Sequence, residues 1–508
     1  MEPFTSEEIK AAIFSIDDSK SPGLDGFPSG FFKTLWVSVG SSVIAAIRHF
    51  FSHGYMLKDW NRTFLTLLPK VDNPEFISQF RPIGLCNVIY KYVAKCLTGR
   101  LRSVMPSLVA DFQNAFFPGR LLSDNALIAY EVISNRSKAK KRFFAAIKLD
   151  MNKAYDRVNW DFLFRLLQAY GFPPYWIHII RQCVSTVSYQ VLVNGNPLQT
   201  FQPECGQVIN LQKSFVKFSP NTPTDYRDFL ARSLKLQCKS SLGSYLGLLV
   251  DLGRGKVSEF SYLIDKVVQR LSGLASMGLS SAAKLVIINS VMVASFNHVL
   301  SVFHVPSSIC SKVDNLLARF WWKSDQHSRG LALRSKSLLH LPKGMGGLGI
   351  RSLSSFNSVL LARQCWRIHH HPQLLISRLL TTKYPSLRLF QTRRIPGASW
   401  GCQGLLKGLS VLSEGLACKV GSGSRVRILE DSWVPGDPIS FRDNGEAFVP
   451  SHVSYIINPR SYAWDLSMVH QLFDSSIASR ILGLERPSRP MDDFVYWKFS
   501  KDGNFTTK

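Results

Sequence analysis

The stretch Phe143 to Leu149, ending on Asp150, leaves the fewest folds open to this chain. A short apolar run closed by an acid reads as a strand buried in a sheet, because a helix would need a longer run with a 3.6-residue period. Its neighbours sharpen the reading. Asn159 to Tyr170 has helical spacing and is stopped by Gly171-Phe172-Pro173-Pro174. Tyr189 to Val193 and Leu198 to Phe201 flank Asn194-Gly195, the dipeptide that accepts the two positive φ angles of a tight hairpin. Strands and helices thus alternate, and the spacing predicts an α+β domain over residues 1–206.

The same punctuation runs upstream. Thr5-Ser6-Glu7-Glu8 fits a capping box, and Ile9, Ile13 and Ile16 fall on one helical face. Ser21-Pro22-Gly23-Leu24-Asp25-Gly26 breaks that helix. Phe64 to Leu68 is a short strand closed by Pro69-Lys70, Phe80-Arg81-Pro82-Ile83 is a second segment, and Leu85, Ile89, Val93 and Leu97 have helical spacing. Downstream, residues 256–325 and 352–383 read as mainly helical, with Gly344 to Gly349 as a flexible break. A length of 508 residues and a hydrophobic share of 45% provide for about three domains with real cores. No uninterrupted apolar run is long enough to span a bilayer, and the polar, acidic start MEPFTSEEIK is unlike a signal or transit peptide. A secreted or membrane protein is not expected. The nine cysteines are scattered without metal-ligand spacing, which fits buried thiols in a reducing compartment. His369-His370-His371 reads as a solvated stretch, since neighbours on a helix point about 100° apart.

Charge is where the chain departs most from an ordinary globular protein. The net charge is +26, of which residues 207–508 carry +19 (38 basic against 19 acidic). Between Gln326 and Ser413 there are 13 Lys and Arg and not one Asp or Glu. One sign over that length points to a polyanionic partner, since neutralising phosphates releases their counterions. Phe356, Trp366, Tyr384, Phe390 and Trp400 are interleaved with these cations and offer rings to unpaired bases, with core packing the better reading for Trp366. Arg393 and Arg394 are the expected nucleic-acid contacts.

An aspartate at the end of a buried strand is placed to hold a hard cation, although alone it is more often a cap or turn residue. Its context decides. Ser21-Pro22-Gly23-Leu24-Asp25-Gly26, Leu68-Pro69-Lys70, Phe80-Arg81-Pro82-Ile83-Gly84-Leu85, Asn114 to Arg120 with Asp124-Asn125, and Leu149-Asp150 through Val158 occur in that order. Together they resemble the fingers and first palm motif of LINE-type (non-LTR retrotransposon) reverse transcriptases, particularly those of plants. Tyr245-Leu246-Gly247, Leu341-Pro342-Lys343 with Gly346 to Gly349, and Asp431-Ser432-Trp433-Val434-Pro435 resemble the regions that follow the palm.

The resemblance implies a partial right-hand polymerase, with fingers and an incomplete palm over 1–206. It also implies a residual palm and thumb-like helical region over 207–325, a basic post-polymerase region over 326–440, and a C-terminal region over 441–508 that precedes a lost zinc-binding segment. In that frame Asp150 is the first catalytic, metal-binding carboxylate, and Met151 offers its carbonyl to the same Mg²⁺ ion. Tyr155 stands where the family keeps an aromatic gate against a 2′-hydroxyl. Lys70 and Arg81 would hold the incoming deoxynucleoside triphosphate, one as a point charge and one as a fork. The implied partners are RNA and DNA as template and primer, in the nucleus or cytoplasm, with no membrane.

Half of that site is missing from the sequence. Transfer of a nucleotide needs two divalent ions about 4 Å apart, and one carboxylate cannot hold both. The family adds an aromatic–Ala–Asp–Asp turn and a Gln-Gly-Asp-Pro-rich helix start. Here adjacent aspartates occur only at Asp17-Asp18 and Asp492-Asp493, and Asp156 falls on the following helix. Pro203 to Gly206 looks like the entry to the Gln-Gly-Asp-Pro motif, whereas Gln207 to Ser214 looks like the segment that comes after the aspartate pair. The join at Gly206-Gln207 reads as an in-frame deletion of the palm motif that carries the Asp-Asp pair. The family usually has an endonuclease before the polymerase and, in plants, often a Cys/His region after it; this chain is expected to be short at both ends, opening in the fingers and stopping just before such ligands. Three readings stay open: a reverse transcriptase inactive as written, a non-catalytic RNA- or DNA-binding remnant, and a non-functional truncated element or mis-predicted gene.

Overall fold

The computed structural model describes residues 2–115, 117, 119–136, 143–152, 158–202, 208–245, 247–250, 253, 255–274, 277–322, 333–390, 394–442, 449–487, 489 and 491–507. Tyr155, Asp156, Arg393 and the Gly206-Gln207 join lie outside them. The fold is mixed α/β and divides into two compact units. The first holds Met1–Gln113, Ala145–Phe218 and Thr222–Ser240; the second holds Asn114–Phe144, Ser219–Asn221 and Ser241–Lys508.

In the first unit the Thr5 hydroxyl accepts the Glu8 amide at 3.1 Å and starts the Ser6–Phe14 helix, as the capping pattern predicts. Ile9 and Ile13 are fully buried, and they join Ile47, Phe50, Tyr92, Val93, Trp176 and Ile179 in one core between four helices. The loop after the first helix is docked by Asn87, whose Oδ1 accepts the Asp25 amide and whose Nδ2 donates to the Asp59 carbonyl. A Cβ on Gly23 would stand 2.1 Å from Asn87 Oδ1, so this close approach admits only glycine.

The strands of this unit, in chain order, are β1 (Arg62–Pro69), β2 (Phe80–Cys86), β3 (Ala145–Lys148), β4 (Met151–Asn152), β5 (Ser188–Val193), β6 (Asn196–Pro197), β7 (Val208–Ile209), β8 (Phe215–Phe218) and β9 (Gln237–Cys238). One sheet has the order β2-β1-β5-β6, with β1 antiparallel to β2 and parallel to β5. The β5–β6 hairpin turns through Asn194 at φ 51° and Gly195 at φ 83°, the conformation the dipeptide predicts. Leu85, expected on a helix, lies in β2 instead; the helix runs Val88–Leu108 and keeps Val93 and Leu97 on its buried face. The other sheets are β3-β8-β9 and the short pair β4–β7.

The buried strand expected over 143–149 is shorter and more open than its composition suggests. Only Ala145–Lys148 form β3, and Ile147 and Leu149 are 48% and 55% exposed. Among the described residues β3 pairs on one side alone, with β8, and so forms the edge of its sheet.

The second unit is largely helical over 256–322 and 353–383, as the spacing predicts. One stretch, Ser281–Leu300, has the length and mean hydropathy to cross a bilayer, but Lys284, Asn289 and Asn297 interrupt it, so it is not an unbroken apolar run. Its Ile288, Met292, Val293, Phe296, Val299 and Leu300 are buried within the unit, as in the core helix of a globular domain. The Gly344–Gly349 segment is a tight turn and no flexible break. Gly347 and Gly349 donate to the carbonyls of Pro342 and Leu341 at 3.1 and 2.8 Å, and a Cβ on Gly347 would lie 2.0 Å from the Leu341 oxygen. Toward the C-terminus, strands β10 (Leu416–Lys419) and β11 (Phe494–Trp497) pair antiparallel beside a separate core of Val426, Ile428, Trp433, Val453, Phe473 and Ile481.

Candidate active site

Asp150 sits in the gap between β3 and β4, and backbone hydrogen bonds hold it there. Its amide donates to Ser214 Oγ at 2.9 Å, and its carbonyl accepts the Asn210 amide at 2.8 Å. Asn210 also accepts the amides of Lys213 and Ser214 through its carbonyl, so 210–214 is a tight turn laid along the aspartate. Ser214 is 1% exposed, and its hydroxyl is the buried partner that fixes the strand end. Sequence reasoning passed over Asn210 and Ser214; the available signal was a turn-forming asparagine four residues before a hydroxyl. The Asp150 side chain is half-buried and, among the described residues, makes no hydrogen bond or ion pair. Met151 comes next, in β4, opposite Ile209.

Lys70 and Arg81 come together at the far end of the β1–β2 pair. Arg81 faces Leu68 in the register, and the Lys70 amide donates to the Gln79 carbonyl at 2.8 Å. Both side chains are exposed. Lys70 turns its ammonium onto the Ser78 carbonyl at 2.8 Å, while the Arg81 guanidinium has no hydrogen-bond partner among the described residues. Tyr155 lies outside the described residues.

Neither aspartate pair lies near Asp150 in sequence, and both are engaged in local structure. Asp18 forms an ion pair with Lys33 at 2.6 Å, and hydrogen bonds from Ser19 lower the pKa of Asp17. Asp493 accepts three amides of the 421–425 loop, from Gly421, Gly423 and Arg425, at 2.7–2.9 Å. Among the described residues no three His, Cys, Asp or Glu side chains gather as a metal-binding group. A single carboxylate with one neighbouring carbonyl does not fit a pair of divalent ions, which demand several oxygens each.

The basic window is less unopposed than it reads. The helix Leu122–Arg136 supplies two buried acids to it. Arg367 grips Asp124 with both terminal guanidinium nitrogens, at 2.8 and 2.7 Å, and Gln364 adds a third hydrogen bond. Glu131 accepts from Lys383 Nζ at 2.8 Å, from the Tyr384 hydroxyl at 3.1 Å, and from Ser399 Oγ. Trp366 and Tyr384 are buried, and Phe390 packs against the C-terminal core, so these rings are not free for bases. Arg334, Lys343, Arg351, Arg363, Arg378, Arg388, Arg394 and Lys407 remain exposed.

Comparison with known proteins gives this geometry a setting. Residues 68–207 match the reverse transcriptase (RNA-dependent DNA polymerase) family. A 149 kDa transposon TX1 protein of Xenopus laevis is 31% identical over 192 residues, 38% of this chain and 15% of the relative. A putative ribonuclease H protein of Arabidopsis thaliana is 28% identical over 261 residues, 49% of this chain and 41% of the relative. An uncharacterized mitochondrial protein of Arabidopsis thaliana is 31% identical over 139 residues, 27% of this chain and 90% of the relative. The chain therefore spans less than half the length of the first two.

Proposed function

We propose that this chain, which belongs to the reverse transcriptases of non-LTR retrotransposons, is an RNA-directed DNA polymerase relative whose palm lacks the Asp-Asp pair that would complete the catalytic carboxylates. Asp150 is then the surviving first carboxylate, with Met151 beside it as the carbonyl ligand. Lys70 and Arg81 are the triphosphate-holding residues of the fingers, and Tyr155 is the gate against a ribose 2′-hydroxyl. RNA and DNA are the template and primer such a chain would hold, with Arg393 and Arg394 among the contacts.

The observation that carries this reading is the direct pairing of β3 with β8. Ile147 lies opposite Val216, and among the described residues the chain between β3 and β8 supplies the short β4, the helices and hairpin of 160–197 and the short β7. A polymerase palm sets an Asp-bearing hairpin beside its first strand. Among the described residues the strand beside β3 is β8, which comes after the 210–214 turn and supports the loss of that hairpin. The family match stops at residue 207, beside the Gly206-Gln207 join, which supports the loss of a block there. With the donor set reduced to Asp150, the family's Mg²⁺ chemistry has too few ligands.

The test is primer extension by the purified chain on an RNA template with Mg²⁺ or Mn²⁺. The expected result is no product above background. Extension that disappears in Asp150→Asn would overturn the reading, because another carboxylate would then complete the site.

A further inference from the structure

We infer that the open face of the β10–β11 sheet is a stacking platform for unpaired nucleotides, separate from the basic 326–413 region and resting on the nucleic-acid role proposed above. Residues directly opposite each other in an antiparallel pair share a face. Lys419 lies opposite Phe494 and Ala417 opposite Tyr496. The pairing runs one residue further, since the Lys498 amide donates to the Gly415 carbonyl at 2.8 Å. One face thus presents Phe494, Tyr496, Lys419 and Lys498. The other turns Cys418 and Val495 into the C-terminal core, and Trp497 edge-on against Phe505 at 4.8 Å.

The two rings on the open face are arranged for stacking and not for packing. Their planes are parallel within 6° and their centroids are 6.5 Å apart, the repeat of alternate residues on a strand. Phe494 is 55% exposed. Gly503 lies against the pair, its missing Cβ 3.3 Å from the Tyr496 Cβ, so that no side chain covers the rings from that position. Every base has a π-face, so alternate aromatics on a strand accept successive bases without reading their identity.

Charge selects the occupant. Lys419 and Lys498 stand at the two ends of the aromatic pair, exposed and able to reach phosphates. Of the adjacent acids, Asp493 is tied up by the loop amides, and Glu414, Asp492 and Asp502 stay exposed at the rim. A net charge of +26 repels a second copy of the chain and attracts a polyanion.

The experiment titrates the full chain into a short labelled oligouridylate or oligothymidylate and follows anisotropy as a function of salt. Phe494→Ala with Tyr496→Ala is expected to weaken binding about tenfold or more at an unchanged melting temperature, while Phe494→Trp keeps the affinity. Lys419→Gln with Lys498→Gln should reduce the salt slope by about 1.4, two phosphate contacts on a single strand. Photocrosslinking of a thiouridine-labelled oligonucleotide to the wild-type chain should mark the 492–501 peptide, which tests the site even where the double variant fails to fold. Unchanged affinity in a folded double variant, crosslinks confined to other peptides, or a dimer that Phe494→Ala dissociates would each overturn the platform. None of these outcomes bears on primer extension, so the palm reading is tested separately.

Discussion

Replacing Glu131 by Gln should destabilise the second unit by about 3 kcal/mol, the lower part of the range for breaking a buried ion pair. The magnitude comes from its surroundings. The Glu131 side chain is wholly shielded, and Lys383 is 22% exposed, so the orphaned ammonium keeps a little access to water. Glutamine keeps one carbonyl oxygen for Ser399 or Tyr384, but turns an amide donor toward a lysine that has only donors. No larger shift of the chain can absorb the change, because a Cβ on Gly401 would already stand 2.7 Å from Glu131 Oε1. Urea unfolding of wild type, Glu131→Gln, Lys383→Met and the double variant gives the coupling between the two residues. We expect about 1–3 kcal/mol, and a value below about 0.5 kcal/mol would refute the argument. The pair also has a pH signature. Burial alone would lower the Lys383 pKa, but the hydrogen bond and charge of Glu131 outweigh it and leave the pKa raised. A cation with a raised folded pKa contributes its full stability below the ordinary lysine value of about 10.4 and loses it as pH rises through the folded value. Wild type and Lys383→Met should therefore converge in stability in that alkaline range.

Two further outcomes rest on single residues. Gly347→Ala should destabilise the second unit by about 2 kcal/mol or more, read as a lower urea midpoint, because its Cβ would meet the Leu341 carbonyl oxygen at 2.0 Å. An unchanged midpoint would show that the 341–350 turn opens freely. Reversing Arg393 and Arg394 to Glu should weaken single-strand binding and flatten its salt dependence, with folding preserved because Arg394 is exposed. Binding indifferent to salt would remove the electrostatic basis for that region.

The features that could be read directly from the sequence are those that short-range geometry controls. The Thr5 cap, the Ile9–Ile13 stripe, the Asn194-Gly195 turn and the core face of the Val88–Leu108 helix all depend on neighbours within four residues or on a period of two. The order of motifs around Lys70, Arg81 and Asp150 was likewise legible, and with it the family. Three things were not. The openness of β3 depends on which strands lie beside it, and composition alone reads Ile147 and Leu149 as interior. The Gly346-Gly347 turn looks flexible by residue type, yet close backbone approach fixes it. The basic window looks uncompensated only along the chain: Asp124 and Glu131 meet Arg367 and Lys383 across sequence separations of 243 and 252 residues. Coulomb attraction depends on distance in space, so no count of charges in a window can find such partners. Local elements and the chemistry on offer are written in the order of residues; the path of the folded chain settles which acids neutralise which cations, and which aromatic rings are left open to solvent.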